Sequence, residues 1–196
     1  QSAAEALVHL SKESLQLFRE LQISSEGRIA LENKGLLMVA NSAKGLQATH
    51  HELDIVGQWG IPGIKVNSSE ACEREPLLKA NNLGGVFFSN EAHAEPFQVV
   101  EELVRQSKVS GCEYFFNTEV VEFKKSSQKI TEVVTTKGCF AAEKIIFATG
   151  SWSKSLGKSL GIRLPILGGK GYSFITRELQ SIPRQPLMLL ENKVAV

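Results

Sequence analysis

Apolar side chains recur at three- and four-residue intervals in several stretches of the chain, and this spacing predicts amphipathic helices. In the first stretch, Ala3, Leu7 and Leu10 begin a pattern that continues to Leu21. Cap and turn residues such as asparagine, proline and glycine set the ends of the later helices. The predicted helices run over residues 2–22, from a cap at Asn41 to the turn at residues 60–63, over residues 68–78, from Pro96 to Gly111, and over residues 152–160.

Short apolar runs between turn residues predict β-strands. The run at residues 144–148 lacks polar alternation, which is typical of a strand covered on both faces in a parallel sheet. Turns at Ser126 and Ser127 and at Lys137 and Gly138 join the preceding strands into an antiparallel meander. The chain is therefore predicted to have an α/β fold. The predicted strands are residues 35–40, 85–89, 114–116, 120–124, 130–136, a short run after Gly138, 144–148, 172–176 and 187–196.

Both ends of the sequence fall inside predicted regular elements, a helix at the start and a strand at the end. Native chains more often begin and end in exposed, poorly ordered segments. We therefore expect the chain to be an internal fragment of a longer protein.

The composition is that of a soluble globular domain, with 42% hydrophobic and 22% charged residues. A net charge of +1 gives no broad positive field, so nucleic acid is not an expected partner. No apolar run approaches the length of a transmembrane helix. Three widely separated cysteines predict reduced thiols and a cytoplasmic protein, and the absence of CxxC and HExxH motifs argues against a metal site.

One ordered set of motifs carries candidate chemistry: Thr118 and Val120 before the meander, then Ala148-Thr149-Gly150-Ser151-Trp152 after it. In an α/β sheet, ligands bind where strands end and bare backbone amides are exposed. Gly150 would let the main chain approach a ligand closely, and a strand residue such as Val120 can offer its own backbone groups. Taken singly, each motif has a structural alternative: a glycine turn after a buried strand, a core valine and a packing tryptophan.

Together these motifs resemble those of the FAD-dependent D-amino-acid oxidase superfamily, most closely the bacterial D-amino-acid dehydrogenases and glycine oxidases. The likeness is strongest over residues 84–176 and includes Gly111, Pro165 and Lys170-Gly171-Tyr172-Ser173. It implies part of a Rossmann-like FAD-binding domain with an antiparallel meander, and part of a mixed-sheet substrate domain. The implied boundaries are residues 1–80 for a substrate and helical region, 81–162 for the FAD-binding part, and 163–196 for a second substrate segment.

The resemblance also implies roles for particular residues. The backbone of Val120 would bind the adenine end of FAD, Ala148, Thr149 and Gly150 would lie along the cofactor, and Trp152 would flank that turn. Phe87 and Tyr172 would belong to the substrate pocket. No catalytic residue is assigned.

The chain departs from the family pattern in ways that bear on its local structure and on its activity. The phosphate-binding GxGxxG loop is absent and is expected before Gln1, and the arginine that holds the substrate carboxylate is expected after Val196. Gly168 and Gly169 stand where the family has a second proline. We therefore expect this chain alone neither to retain FAD nor to turn over substrate.

For the complete protein, the resemblance implies oxidative deamination of a D-amino acid or a glycine-type amine by hydride transfer to FAD. It also suggests a quinone electron acceptor and peripheral association with the inner membrane. Two alternatives remain open: a related FAD-dependent dehydrogenase acting on a 2-hydroxy acid or a polyol phosphate, and a non-catalytic domain with the same fold.

Overall fold

The structure is a computed structural model that describes residues 3–127, 129–177 and 179–196. These residues form two compact units: residues 3–111 together with 179–196, and Cys112–Arg177. The chain thus leaves the first unit, builds the second, and returns to complete the first. The functional assignment of residues 1–80, 81–162 and 163–196 stays a prediction.

The helices of the first unit agree with the apolar periodicity. Proline at the first turn of the fourth helix has no N–H to leave unpaired there, and the side chain of Glu95 accepts a hydrogen bond from the backbone N–H of Phe97. Asn67 caps the third helix through a capping box with Glu70. The helices are α1 (Ala3–Ser24), α2 (Ala43–Gly57), α3 (Ser68–Arg74) and α4 (Pro96–Val109), and α5 (Ser153–Ser159) lies in the second unit.

The predicted cap of α2 was wrong by one residue. Ser42, not Asn41, is the N-cap, and its Oγ accepts a hydrogen bond from the backbone N–H of Gly45 at 3.0 Å. The backbone N–H of Asn41 instead donates to the carboxylate of Glu191 at 3.1 Å. Both residue types cap well, so composition alone did not separate them.

A mixed five-stranded sheet forms the centre of the first unit. Its strand order is β10-β9-β2-β4-β3, in which β2 and β9 are parallel and the other pairs antiparallel. The short strands β1 and β5 pair separately. The strands are β1 (Leu31–Glu32), β2 (Leu36–Val39), β3 (Ile64–Val66), β4 (Gly85–Phe88), β5 (His93–Ala94), β6 (Val120–Ser126), β7 (Lys129–Thr135), β8 (Gly138–Ala141), β9 (Leu187–Leu189) and β10 (Val194–Ala195).

Each face of this sheet has its own core. On one face, Leu37 and Val39 of β2 pack with Leu187 of β9 and with Ala71 of α3. On the other face the cluster is built on the alternate residues of the same strands. Its members are Met38, Val86 and Phe88, with Leu53 and Val56 of α2 against them.

The second unit contains the predicted antiparallel meander, in which β6 pairs with β7 and β7 with β8. Three predicted strands of this unit were wrong: residues 114–116, 144–148 and 172–176 form no strand. Ile146 is 89% exposed and Phe174 is 88% exposed. An apolar run indicates that a segment favours burial, but a strand also needs a neighbouring strand to which it hydrogen-bonds. In the described part of the chain, no strand pairs with these three segments.

Candidate cofactor-binding site

Val120 begins the first strand of the meander, opposite Thr135 of β7. The register between β6 and β7 shifts between Val120 and Glu122, so Val121 is an extra residue on β6. Such a bulge interrupts the hydrogen-bonded ladder and leaves backbone groups unpaired. Val120 is half-buried. The bulge beside it interrupts the β-ladder, so backbone groups there are available to the edge of a ligand.

The segment that leads from the meander to Gly150 lies against the same sheet. The ring of Phe147 is 5.2 Å from that of Phe123 on β6, in a tilted arrangement typical of packed aromatic pairs. Phe115 and Phe140 form a second such pair at 4.6 Å. The contact of Phe147 with Phe123 therefore places this segment beside the meander, although residues 144–149 form no strand.

Gly150 stands at a tight turn between that segment and α5. Its φ is +51°, in the left-handed region that favours glycine, and apart from its chain neighbours no atom of the described residues lies within 4 Å of the position that a Cβ would take. Residues Gly150–Trp152 form one 3₁₀ turn, closed by a 3.1 Å hydrogen bond from the backbone N–H of Trp152 to the carbonyl of Thr149. The backbone at this turn is open to a ligand.

The side chains around the turn divide into a buried support and an exposed rim. The hydroxyls of Thr149 and Ser153 are 2.8 Å apart, and Ser153 is buried. Ala148 is exposed, and Trp152 is 74% exposed. The turn is thus fixed from inside by a hydroxyl pair, while an alanine and an aromatic ring face outward.

A glycine-rich segment that sequence analysis assigned no role passes beside this turn. The position of a Cβ on Gly168 would lie 3.5 Å from Cβ of Ser151. Gly168 carries no side chain, so the chain can pass close to Ser151 there. The run of glycines in the sequence is the feature that could have indicated this close approach of the chain to Ser151.

The meander itself is fixed by charge as well as by its ladder. Lys124 and Glu132 lie directly opposite on β6 and β7, with Nζ and Oε2 2.7 Å apart. The hydrogen bond and charge of Glu132 raise the pKa of Lys124. An exposed pair of this kind adds little stability, but it favours the observed register.

The two predicted pocket residues lie in different units. Phe87, on β4, pairs with Leu37 and Ile64, and the Arg74 guanidinium stacks 4.1 Å from its ring centroid. Tyr172 belongs to the second unit, where it is 79% exposed with Nζ of Lys170 5.2 Å from its ring. The structure thus brings together Val120, Ala148, Thr149, Gly150, Trp152 and Tyr172 in one unit and places Phe87 in the other.

Residues 3–127, 129–177 and 179–196 contain neither a grouped set of metal ligands nor a membrane-spanning helix. There, no three histidine, cysteine or acidic side chains are grouped as metal ligands would be, and the three cysteines are free thiols. No helix in this part of the chain has the length and apolar character needed to cross a membrane.

Comparison with known proteins identifies the family to which this chain belongs. The family model described as FAD dependent oxidoreductase (DAO) matches residues 1–194, so the chain belongs to this family. The meander and the Gly150 turn fit a flavin-binding segment, since both offer accessible backbone.

Individual relatives agree with this membership. The chain is 26% identical over 176 residues to a D-amino acid dehydrogenase of Neisseria meningitidis, covering 88% of this chain and 42% of that protein. It is 27% identical over 184 residues to the D-amino acid dehydrogenase of Cereibacter sphaeroides, covering 92% and 42%. The chain therefore spans about two fifths of the length of these relatives.

Solved structures show the same fold. Glycine oxidase from Geobacillus kaustophilus superposes with a TM-score of 0.73 at 26% identity, over 79% of this chain and 43% of that one. Glycine oxidase from Bacillus cereus gives 0.72 at 25% identity, over 81% and 45%. The mixed α/β fold expected from the sequence is confirmed by these neighbours.

Proposed function

We propose that this chain forms part of an FAD-dependent enzyme that oxidises an amino acid, either a D-amino acid or a glycine-type amine. The observation that carries the proposal is the aromatic contact between Phe123 and Phe147. It holds the strand that begins at Val120 beside the segment that ends at Gly150. The family membership, and the names of the relatives, support the amino-acid substrate.

In this proposal the backbone beside Val120 contacts the adenine end of FAD. Ala148, Thr149 and Gly150 lie along the cofactor and Trp152 flanks it. The bulge on β6 and the open space at Gly150 support these roles, because both leave backbone groups accessible. Residues 81–162 would then supply the flavin side, and residues 1–80 and 163–196 the substrate side.

The bound flavin would accept a hydride from the substrate α-carbon, and water would hydrolyse the resulting imine to a keto acid. Phe87 and Tyr172, each within its own unit, stay proposed residues of the substrate side. A quinone as final electron acceptor and peripheral association with the inner membrane complete the proposal for the dehydrogenase form.

The test uses the protein expressed from its complete open reading frame. We expect it to purify yellow, with one flavin per chain, and to reduce a dye acceptor in the presence of D-amino acids or glycine. The measurements are the flavin absorbance and the rate of keto-acid formation. Anaerobic bleaching of the flavin by the amino acid would localise the chemistry to the cofactor.

Two outcomes would overturn the proposal. Activity confined to 2-hydroxyglutarate or to a polyol phosphate would assign the protein to the hydroxy-acid or polyol-phosphate alternative. A colourless protein that cannot be reconstituted with FAD would favour a non-catalytic domain.

A further inference from the structure

The positive charge of this chain is concentrated in one stretch. Residues 144–177 contain six basic side chains and no acidic one, whereas the whole chain has 22 basic and 21 acidic side chains. The rest of the chain is therefore net acidic. A local excess of this size creates a positive field that the net charge of +1 conceals.

Three of these basic residues line one cleft that runs along α5 and past its C-terminal end. The cleft has a volume of about 340 Å³, near the lower end of the range for small-ligand sites. Lys154, Lys158 and Arg163 line it together with Gly161, Ile162 and Leu164.

The end of α5 is built in a way that holds Arg163 near the two lysines. Gly161 adopts a φ of +78°, and the backbone N–H of Ile162 returns to the carbonyl of Gly157 at 2.8 Å. This closure is typical of a glycine C-cap and turns the chain back beside the helix. A Cβ on Gly157 would lie 3.0 Å from Cδ1 of Leu164, so the returning chain packs closely on α5.

The three cations have no acidic partner in the part of the chain that the structure describes. Lys154 and Lys158 are four residues apart on one helix, a spacing at which like charges repel and destabilise the helix. Proximity to the helix C-terminus offsets part of this repulsion for Lys158. An anion in the cleft would remove the remainder.

The floor of the cleft is apolar. Ile162 and Leu164 contribute side-chain carbon, and the stems of the two lysines extend this surface while their charged groups reach solvent. A ligand that fits both parts carries a phosphate group beside an apolar or aromatic portion. Inorganic anions alone would use only the charged rim.

We propose that the cleft lined by Lys154, Lys158 and Arg163 is a binding site for the phosphate group of a phosphorylated small molecule or of an anionic lipid headgroup. Lys154 is the second residue of α5, four positions after Gly150, so the cleft begins near the Gly150 turn and extends to the C-terminal end of α5. The proposal of a phosphate-binding cleft does not depend on the proposed flavin site.

The experiment uses the protein from its complete open reading frame, isolated with whatever flavin it retains. Phenyl phosphate and inorganic phosphate are titrated by calorimetry, and vesicles of phosphatidylglycerol or of phosphatidylcholine are tested by co-sedimentation. We expect phenyl phosphate or phosphatidylglycerol to bind, in a salt-sensitive manner. The triple variant K154Q/K158Q/R163Q should lose at least about tenfold in affinity, because it removes every charged donor of the cleft.

A matched control removes three positive charges elsewhere. The variant K44Q/K125Q/K129Q has the same net charge as the cleft variant but leaves the cleft intact, so it should keep wild-type affinity within about twofold. Nonspecific attraction depends on overall charge and would weaken equally in both triple variants. The single variant R163Q, which changes one exposed side chain, should show part of the loss even if the triple variant proves unstable.

The outcomes distinguish a soluble phosphorylated ligand from a lipid headgroup. Binding of phenyl phosphate without vesicle binding indicates a soluble ligand, and the reverse indicates a lipid headgroup. Absence of binding by every probe, or equal loss in both triple variants, overturns the proposal. Loss of flavin absorbance in the cleft variant alone would assign the cleft to the flavin site instead, whereas a colourless wild type that binds phenyl phosphate would refute only the proposed function.

Discussion

At the scale of single residues, Glu102 illustrates how a buried charge is retained. It lies on α4, is only 2% exposed, and accepts hydrogen bonds from Arg105, Gln106 and Arg28 at 2.7–2.9 Å. The hydrogen bond from Arg105, with those of Gln106 and Arg28, holds the pKa of Glu102 well below its usual range despite burial. Sequence periodicity placed apolar residues on this helix but did not mark Glu102 as buried.

The pH dependence of stability follows from the direction of this shift. A depressed pKa in the folded state stabilises the fold above the unfolded pKa of about 4.3, and the stabilisation is lost as pH falls through the folded value. We expect Glu102→Gln to lower the free energy of unfolding most at neutral pH, with the difference from wild type shrinking below about pH 4. Urea unfolding between pH 3 and pH 7 measures it.

The neighbouring Glu101 supplies the control for this experiment. It is exposed on the same helix, so Glu101→Gln makes the same chemical change without opening a buried network. A pH-independent difference for Glu102→Gln, or an equal effect of Glu101→Gln, would show that the network does not couple to stability as proposed.

A substitution at Gly150 tests the flavin proposal most directly. Alanine there would cost about 1–2 kcal/mol from the left-handed backbone alone. Gly111 has a φ of +88° and equally open surroundings, so Gly111→Ala carries a comparable strain away from the turn. In the protein expressed from its complete open reading frame, we expect Gly150→Ala to weaken FAD binding at least about tenfold, measured by flavin fluorescence, because its Cβ occupies the approach to the backbone. Equal weakening by Gly111→Ala would attribute the loss to stability.

At the scale of elements, helices were predictable because their signal is local. The period of α1 and the proline start of α4 are both read within a few residues, and both helices are observed. The meander was predictable for a related reason, since its strands are joined by short turns. The short strand β3 was missed, because only its pairing with β4 distinguishes it from a loop.

The central strand β4 depends on a residue whose role no local rule revealed. Gly85 pairs with both Val39 and Val66, and a Cβ there would overlap the carbonyl oxygen of Met38. We expect Gly85→Ala to lower the free energy of unfolding by about 3 kcal/mol or more, since the backbone of β2 has to move. Gly57→Ala, at the end of α2 with open space around it, should change it by no more than about 1 kcal/mol. Thermal and urea unfolding of both variants test this, and similar values would contradict the steric argument.

At the scale of the whole molecule, the first unit is closed by its most distant segments. The backbone N–H of Leu37 donates to the carbonyl of Pro186 at 3.0 Å, and that of Arg184 donates to the buried carboxylate of Glu75 at 2.6 Å. Glu191 receives the backbone N–H groups of Asn41 and Ser42. Such contacts join residues more than a hundred positions apart. The N-cap of α2 and the strand order of the sheet depend on them, so neither could be predicted from the sequence, whereas the individual helices could.

This closure makes a prediction for the chain as a whole. Deleting residues 179–196 removes β9 and β10, exposes Leu37 and Val39 of β2, and leaves Glu75 without its partner on Arg184. Burial of Leu187 alone is worth about 2–3 kcal/mol, a large part of the 5–15 kcal/mol typical of a domain. We expect the truncated chain to lose its cooperative urea transition, followed by circular dichroism.

The control for this deletion keeps the chain length. Val194 on β10 is 44% exposed, and Val194→Thr replaces it with a side chain of similar shape, so the free energy of unfolding should change by less than about 0.5 kcal/mol. If the truncated chain instead unfolded with the wild-type midpoint, β9 would be an accessory to the sheet. The parallel pairing of β2 with β9 would then not explain how the separated parts of the first unit form one core.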